Sequence, residues 1–302
     1  PHAVIATGLE LLAAGPRRLA HGVFSSLSRR GAVLPDAPAL PEAVAARWGE
    51  RGAAIAAGLA APPPLDVALR DPAETAQWAT QLAADVMAPG HLRIARGDAV
   101  EKLPGFAEGA WWVQDLAASL PARLLGDGES RHVLDLCAAP GGKTLQLAAA
   151  GWQVTALDIS KRRLELLREN LKRTGLKAGI VRADALTWAP KHQFDAILLD
   201  APCTATGTAR RHPDVLHRIG RRQISDMAQL QAKLIERAAF WLKPGGHLVY
   251  AVCSLEREEG EEQMSGIALS AEPIRDEELP LSLAPSAEGW LRTDPGMLPA
   301  AG

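Results

Sequence analysis

Three cysteines in 302 residues, Cys137, Cys203 and Cys253, are too few and too widely spaced for a disulfide scaffold. No two of them form the C-x-x-C pair of a zinc knuckle, so neither a metal site nor a structural bridge is expected. Free thiols in a reducing cytoplasm are the simpler reading. Aromatic residues make up only 4% of the chain, with a single tyrosine, and aliphatic packing must therefore carry the core. No apolar run approaches the roughly 18 residues that would span a bilayer, and no secretory leader is recognisable. The formal charge of -2 excludes the global electrostatic footprint of a nucleic-acid binder; any such contact must be a local patch. What remains is an ordinary globular mixture, 47% hydrophobic and 23% charged, long enough for two or three compact units. A monomer is expected. The chain begins at Pro1 without a methionine, so an incomplete N-terminus is expected as well.

Residues 1–61 are rich in Ala, Leu and Arg and read as short helices. Leu9, Leu12, Leu19, Val23 and Leu27 recur at helical spacing, punctuated by Gly15-Pro16 and Pro35-Asp36-Ala37-Pro38. Pro62-Pro63-Pro64 marks a boundary. Residues 62–105 form a small α+β unit: Leu65–Leu69 alternates like a strand, and Leu92-Arg93-Ile94 is another short strand. Between them a helix starts with Asp71 at the cap, Pro72 in the first turn and Glu74 at the box position. Whether this unit is a packing spacer or touches nucleic acid stays open. From residue 106 to 302, buried strands alternate with amphipathic helices. The strands are His132–Leu136, Val154–Asp158, Gly179–Arg182, Phe194–Asp200 and His247–Val252; the clearest helices are Lys161–Thr174 and Ile224–Leu242. This alternation predicts an α/β fold with a doubly wound, mostly parallel, Rossmann-like sheet.

The first of these strands runs into Cys137-Ala138-Ala139-Pro140-Gly141-Gly142-Lys143-Thr144 and then a helix. A glycine-bearing turn between strand and helix lets backbone amides approach a ligand. The second strand ends in Asp158, 23 residues after Asp135, where a carboxylate can accept from ribose hydroxyls. The loop is not G-x-G-x-x-G, and it lacks the first glycine of a phosphate loop. That pattern favours S-adenosyl-L-methionine, which has no phosphate and carries an amino-acid tail, over a dinucleotide. The expected cofactor set is residues 137 to 143 with Asp158, Arg163 in the helix that follows it, Asp184 after the third strand and Asp200 after the fourth. All lie at strand carboxyl ends, which face one crevice in this architecture. Helix capping or a solvated turn is the competing use of Asp158 and Asp184.

Asp200-Ala201-Pro202-Cys203 follows the fourth strand and Ala251-Val252-Cys253-Ser254 the fifth, so both thiols fall at the sheet edge that carries the cofactor loop. Cys137 reads as a buried structural thiol. The stretches DLCAAPGGKT (135–144), DAPCTATGTARRHPD (200–214), LKPGGHLVYAVCS (242–254) and LEREEGEEQ (255–263) resemble the bacterial ribosomal-RNA cytosine-5 methyltransferases of the RsmB/Sun type. The resemblance covers the second half of the chain almost continuously. The first part resembles, more loosely, a NusB-like helical RNA-binding domain entered partway. The tail GWLRTDPGMLPAAG resembles the family's closing segment without its last strand, so both ends are expected to be incomplete.

The resemblance implies a chemistry. Cytosine C5 is a poor nucleophile until a thiolate adds to C6. In the family the thiol of the CS motif attacks, which corresponds to Cys253, and the thiol of the PC motif helps remove the C5 proton, which corresponds to Cys203. Asp200 would hydrogen-bond the cytosine edge, and Lys143 would position base or cofactor unless it is a surface lysine. Cys253 needs activation, because a free thiol has a pKa of about 8.5; the sequence does not locate it. Val252 stands where the family often has threonine. The opposite assignment, Cys203 as attacker, is that of the DNA cytosine methyltransferases. Arg210, Arg211, Arg218, Arg221 and Arg222 form a local basic stretch suited to phosphate or to a solvated helix face. The target base must be unpaired or flipped out, in ribosomal RNA or alternatively transfer RNA. The acidic run 256–262 reads as the start of a solvated helix. Two rivals stand beside the enzyme: a catalytically silent RNA-binding or ribosome-assembly factor on the same fold, and an NAD-dependent oxidoreductase.

Overall fold

The computed structural model describes residues 9–10, 12–33, 35–95, 97, 99–280 and 283–297. Pro1 and the last five residues of the 289–302 tail lie outside the described residues. The chain divides into two compact units, Pro1–Pro38 and Ala39–Gly302. The first contains helix α1 (Ala14–Arg29). Gly15-Pro16, expected to interrupt the helix, instead sits in its first turn, where the missing proline N–H has no intrahelical partner to lose. Leu19, Val23 and Leu27 share one face of it by their spacing of four.

The second unit opens with α2 (Glu42–Trp48) and α3 (Arg51–Ala60), which stops before the three prolines. A small antiparallel sheet follows, ordered β2-β3-β1-β4. Its strands are β1 (Leu65–Leu69), β2 (Asp85–Ala88), β3 (His91–Ile94) and β4 (Trp111–Val113). Both expected strands are present, and they pair with each other. Between β1 and β2, Asp71 takes the capping role expected of it, accepting from Ala73 N at 2.9 Å. Glu74 does not complete a box: its carboxylate accepts from the Trp78 indole at 2.8 Å, in helix α4 (Thr75–Gln81). Val67, Leu69, Leu92 and Trp111 pack into one core face. Asp66 and Arg93, directly opposed across β1 and β3, form a buried two-pronged ion pair at 2.7 and 2.9 Å. Asp66 also accepts from Leu116 N at 3.1 Å, fastening the sheet to α5 (Leu116–Arg123).

The remainder is a parallel five-stranded sheet in the order β7-β6-β5-β8-β9. The strands are β5 (His132–Leu136), β6 (Gln153–Asp158), β7 (Gly179–Arg182), β8 (Phe194–Asp200) and β9 (Leu242–Ala251). Every strand read from the sequence is there. Val133, Leu134, Leu136 and residues 196 to 199 are almost fully excluded from water, as strands covered on both faces must be. Helices α6 (Gly142–Ala149) and α7 (Lys161–Thr174) cover one face together with α5. On the other face α9 (Arg221–Trp241) buries Leu234, Ile235, Ala238 and Trp241 against Phe194, Ile197 and Leu199. A short helix α8 (Val215–Arg218) precedes α9. Strand order reverses at β5, so the carboxyl ends of β5 and β8 flank the switch-point crevice.

Candidate active site

The β5–α6 turn is shaped by two residues with left-handed backbone. Cys137 has φ 66° and Gly141 has φ 112°. A Cβ at Gly141 would meet Leu167 Cδ1 at 2.3 Å, so conformation and space both require glycine there. Asp158, at the end of β6, braces the turn: Oδ2 accepts from Ala139 N at 3.1 Å and Oδ1 from Ser160 N at 2.8 Å. Arg163 donates to Ala139 O and lies 3.7 Å from Asp158 Oδ2. Ala138 and Ala139 are buried and Pro140 is exposed. Asp158 is itself almost fully buried, whereas Ile159 beside it is 64% exposed. Asp184 stands apart: it is exposed, and its Oδ1 accepts from Leu186 N at 2.9 Å within the turn after β7.

Burial, with Asp158 adding to it, pushes the Cys137 thiol up to about 12, so this sulfur stays protonated. Burial also lifts Asp135 to about 7, although Thr144 Oγ1 donates to its Oδ2 at 2.5 Å. The second oxygen of Asp135 is buried without a hydrogen-bond partner.

Across the crevice, Lys143 Nζ donates to Asp200 Oδ2 at 2.7 Å, joining the β5–α6 turn to the tip of β8. Cys203 Sγ and Cys253 Sγ are 3.4 Å apart. Lys143, Asp200 and Cys253 line one cavity of about 260 Å³, together with Asp115, Arg210 and Arg211. Cys253 is exposed and Cys203 half-buried. The hydrogen bond from Cys203 holds the Cys253 thiol below its ordinary value against the cost of burial, with Lys143 helping. The Cys203 thiol is pushed far up, first by that same hydrogen bond and then by burial. Either sulfur can donate across this contact, and the opposed shifts favour ionisation at Cys253 over Cys203. The four residues expected to carry the chemistry thus lie together at one crevice.

The two cysteine loops are tied together. Gly207 N donates to Cys253 O at 3.0 Å and Leu255 N to Thr206 Oγ1 at 2.9 Å. A Cβ at Gly207 would press on Cys253 O at 2.8 Å. The acidic run 256–262 is not the solvated helix expected of it. It forms two short 3₁₀ turns, and Glu256 and Glu259 are buried. Glu256 pairs with Arg47 of α2 at 2.9 Å, and Glu259 accepts from Thr204 and Ser254. Sequence missed these two because partners that draw them inward, Arg47 for Glu256 and Thr204 for Glu259, are 209 and 55 residues away. Val252, in place of threonine, packs its methyls against the α9-side core. The arginine stretch splits in two. Arg210 reaches Pro295 O and Arg211 reaches Pro64 O and Asp115, both on the cavity wall. Arg218 and Arg222 are exposed and pair with Asp214 and Asp226, and Arg221 is exposed. Among the described residues no cluster of three or more His, Cys, Asp or Glu is arranged to hold a metal ion, and no helix is long and apolar enough to cross a membrane.

A parallel sheet reversing at β5, with a glycine turn after its first strand and an acid ending its second, is the Rossmann-like architecture of the S-adenosylmethionine-dependent methyltransferases. The family described as 16S rRNA methyltransferase RsmB/F matches residues 122–284, more than half of the chain, and the chain belongs to that family. Ribosomal RNA small subunit methyltransferase B of Klebsiella pneumoniae (strain 342) is 45% identical over 206 residues, 67% of this chain and 47% of that protein. The same enzyme of Salmonella paratyphi B is 46% identical over 181 residues, 58% of this chain and 42% of that protein. The chain therefore spans about half the length of the curated relatives it matches. A methyltransferase homologue from Pyrococcus horikoshii superimposes with TM-score 0.63 at 30% identity, covering 74% of this chain and 75% of that one. PH0851 superimposes with TM-score 0.77 at 26% identity, covering 93% and 70%.

Proposed function

We propose that this chain methylates carbon 5 of a cytosine in RNA, small-subunit ribosomal RNA first, with S-adenosyl-L-methionine as methyl donor and a covalent Cys253–C6 adduct. The observation that carries the reading is the pair of sulfurs 3.4 Å apart, beside the Lys143–Asp200 ion pair and open to one cavity through Cys253. Family membership supplies the substrate class. In the three-part division expected from the sequence, residues 1–61 would approach the RNA, residues 62–105 would connect, and residues 106–302 would catalyse.

The residues at the ends of β5 and β6 fit the donor. The amino end of α6 offers backbone N–H groups and a partial positive charge to a carboxylate tail. Asp158 would face ribose hydroxyls, with Arg163 holding the turn, and exposed Ile159 offers an apolar face to the base. The unpartnered oxygen of buried Asp135 lies in the strand beneath the turn and leaves a polar group for the tail. Asp184, the outermost acid, would serve the adenine end. When bound, the donor supplies an electrophilic methyl on sulfonium sulfur.

The chain's own groups do the rest. The Cys253 thiolate adds to C6, and the C5=C6 electrons move toward C5 and the N3 side of the ring. Asp200, held by Lys143, hydrogen-bonds that edge and favours protonation at N3. After C5 has accepted the methyl, the C5 proton leaves by way of Cys203, which passes its own proton on to solvent; the C5–H electrons re-form C5=C6, and the S–C6 electrons return to Cys253. The target base enters unstacked.

The test is a pair of variants incubated with RNA and the donor. Cys203→Ala should accumulate a denaturant-stable protein–RNA adduct, and Cys253→Ala should make none. The reverse pattern would exchange the two roles. Normal methylation by both variants, with no adduct in either, would remove the thiols from the mechanism.

A further inference from the structure

Glu259 lies outside the groups assigned above, yet it is fully buried and takes four donors. Thr204 N (2.8 Å) and Gln231 Nε2 (3.0 Å) donate to Oε2; Thr204 Oγ1 and Ser254 Oγ (2.7 Å) donate to Oε1. Thr204 follows Cys203 and Ser254 follows Cys253, so one carboxylate grips the residue after each thiol. Gln231, from α9, also donates to Pro202 O at 2.9 Å, holding the residue before Cys203. Tyr250 Oη donates to Glu259 O at 2.6 Å, which fixes the 3₁₀ turn to β9. A buried carboxylate with this many donors is held in place between the two thiol loops.

We propose that Glu259 is a positioning residue for the thiol pair, setting the separation of Cys203 and Cys253 and keeping their shared proton on Cys203. The inference rests on the paired-thiol reading above. Two like groups sharing one proton are told apart only by their surroundings. Their contact and burial act first; beyond these, Glu259 adds to the cost of ionising Cys203, while beside Cys253 the Asp200 carboxylate raises that cost and the Lys143 ammonium lowers it. The sulfur left ionised is the exposed one on the cavity. A glutamine at 259 would keep the shape but lose the charge. With its NH₂ toward the Thr204 and Ser254 hydroxyls, which can turn to accept, and its oxygen toward the two N–H donors, it can keep the contacts while the charge is removed.

The experiment uses the whole chain as parent, Glu259→Gln, Cys203→Ser and Thr204→Val. Each is labelled with iodoacetamide across a pH series, the labelled cysteine is identified by peptide mass spectrometry, and folding is followed by circular dichroism. The parent should label first at Cys253. Glu259→Gln should label Cys253 roughly tenfold more slowly at pH 7, the change in thiolate fraction made by one pKa unit, and Cys203 should gain a share of the label. A merely structural glutamate would lower the melting temperature and leave both the pH profile and the site distribution as in the parent; that result overturns the proposal. Cys203→Ser separates the layers. If it shifts the Cys253 profile and Glu259→Gln does not, Glu259 alone fails; if it shifts nothing, the thiol pairing fails and the proposal with it. Should Glu259→Gln not fold, Thr204→Val, which removes one hydroxyl and keeps the shape, should give a smaller shift of the same sign, and no shift would be refutation.

Discussion

Removing the Glu256 carboxylate should destabilise the fold out of proportion to its place in an acidic run. Glu256 is 2% exposed. It accepts from Arg47 Nε at 2.9 Å, Arg47 Nη2 at 3.3 Å and the Trp48 indole at 3.2 Å. The Arg47 side chain is itself only 8% exposed, so Glu256→Ala strands a guanidinium and an indole N–H away from water. Truncating one partner of a buried pair costs about 3–5 kcal/mol. For a unit of this size, at about 2 °C per kcal/mol, the melting temperature should fall by roughly 6–10 °C. The assay is a thermal and urea melt followed by tryptophan fluorescence, with Arg47→Met and the double variant completing a cycle. The double variant should recover part of the loss, because the stranded charge is gone, giving a coupling of about 0.5–3 kcal/mol. Refutation would be a Glu256→Ala variant within about 1 kcal/mol of the parent, as an exposed pair would behave, or strict additivity in the cycle. Because Glu256 N donates to Ser254 Oγ at 3.2 Å, the same variant should loosen the loop behind Cys253, seen as faster amide exchange there.

Two further outcomes follow from the electrostatics. His91 is fully buried with neither ring nitrogen bonded, and burial foremost lowers it to about 4. A depressed histidine contributes stability in full above about 6.5 and loses it as pH falls toward 4, roughly 3 kcal/mol in all. His91→Leu should be less acid-sensitive than the parent by that amount in urea melts at pH 7.5 and 4.5, and equal slopes would exclude the assignment. The comparison must be parent against variant, because Asp135, raised to about 7, acts in the opposite sense: its contribution is complete below about 4 and lost as pH rises through 7. Lys143→Met should raise the pH at which Cys253 is half alkylated, by less than Cys203→Ser does, since the thiol donor is the larger influence. A shift equal to or greater than that of Cys203→Ser would overturn the ranking.

The parallel strands were legible because burial on both faces demands unbroken aliphatic runs such as 133–136 and 196–199, and few other structures use them. The two thiols and the glycine turn were legible because each follows such a run directly. The small sheet was only half visible: Trp111-Trp112-Val113 is too short to show a period, and its place beside β1 is set by pairing at a distance. Glu256 and Glu259 were misread for a related reason. A run of acids is soluble by composition, and only partners from α2, α9 and the Cys203 loop reveal which two turn inward. The arginine stretch likewise carries no local sign that Arg210 and Arg211 serve the cavity wall while the next three face water.

Lys143 explains why the proposed donor site and the proposed thiol site can act as one. The donor residues hang from β5 and β6, the thiols from β8 and β9, and the sheet reverses between them. The strands of the two halves are joined by the β5–β8 pairing, and beyond their carboxyl ends the reversal opens a crevice between the loops. The Lys143–Asp200 pair crosses that gap at 2.7 Å, from the amino end of α6 to the tip of β8. Both side chains line the cavity, Asp200 35% exposed and Lys143 13%, so the acid is the more open of the two. A surface lysine would add little to either half. Placed across the switch point, the same charge fixes the acid that would meet the cytosine edge and favours the thiolate that would attack C6. It does so from the loop that would hold the methyl donor.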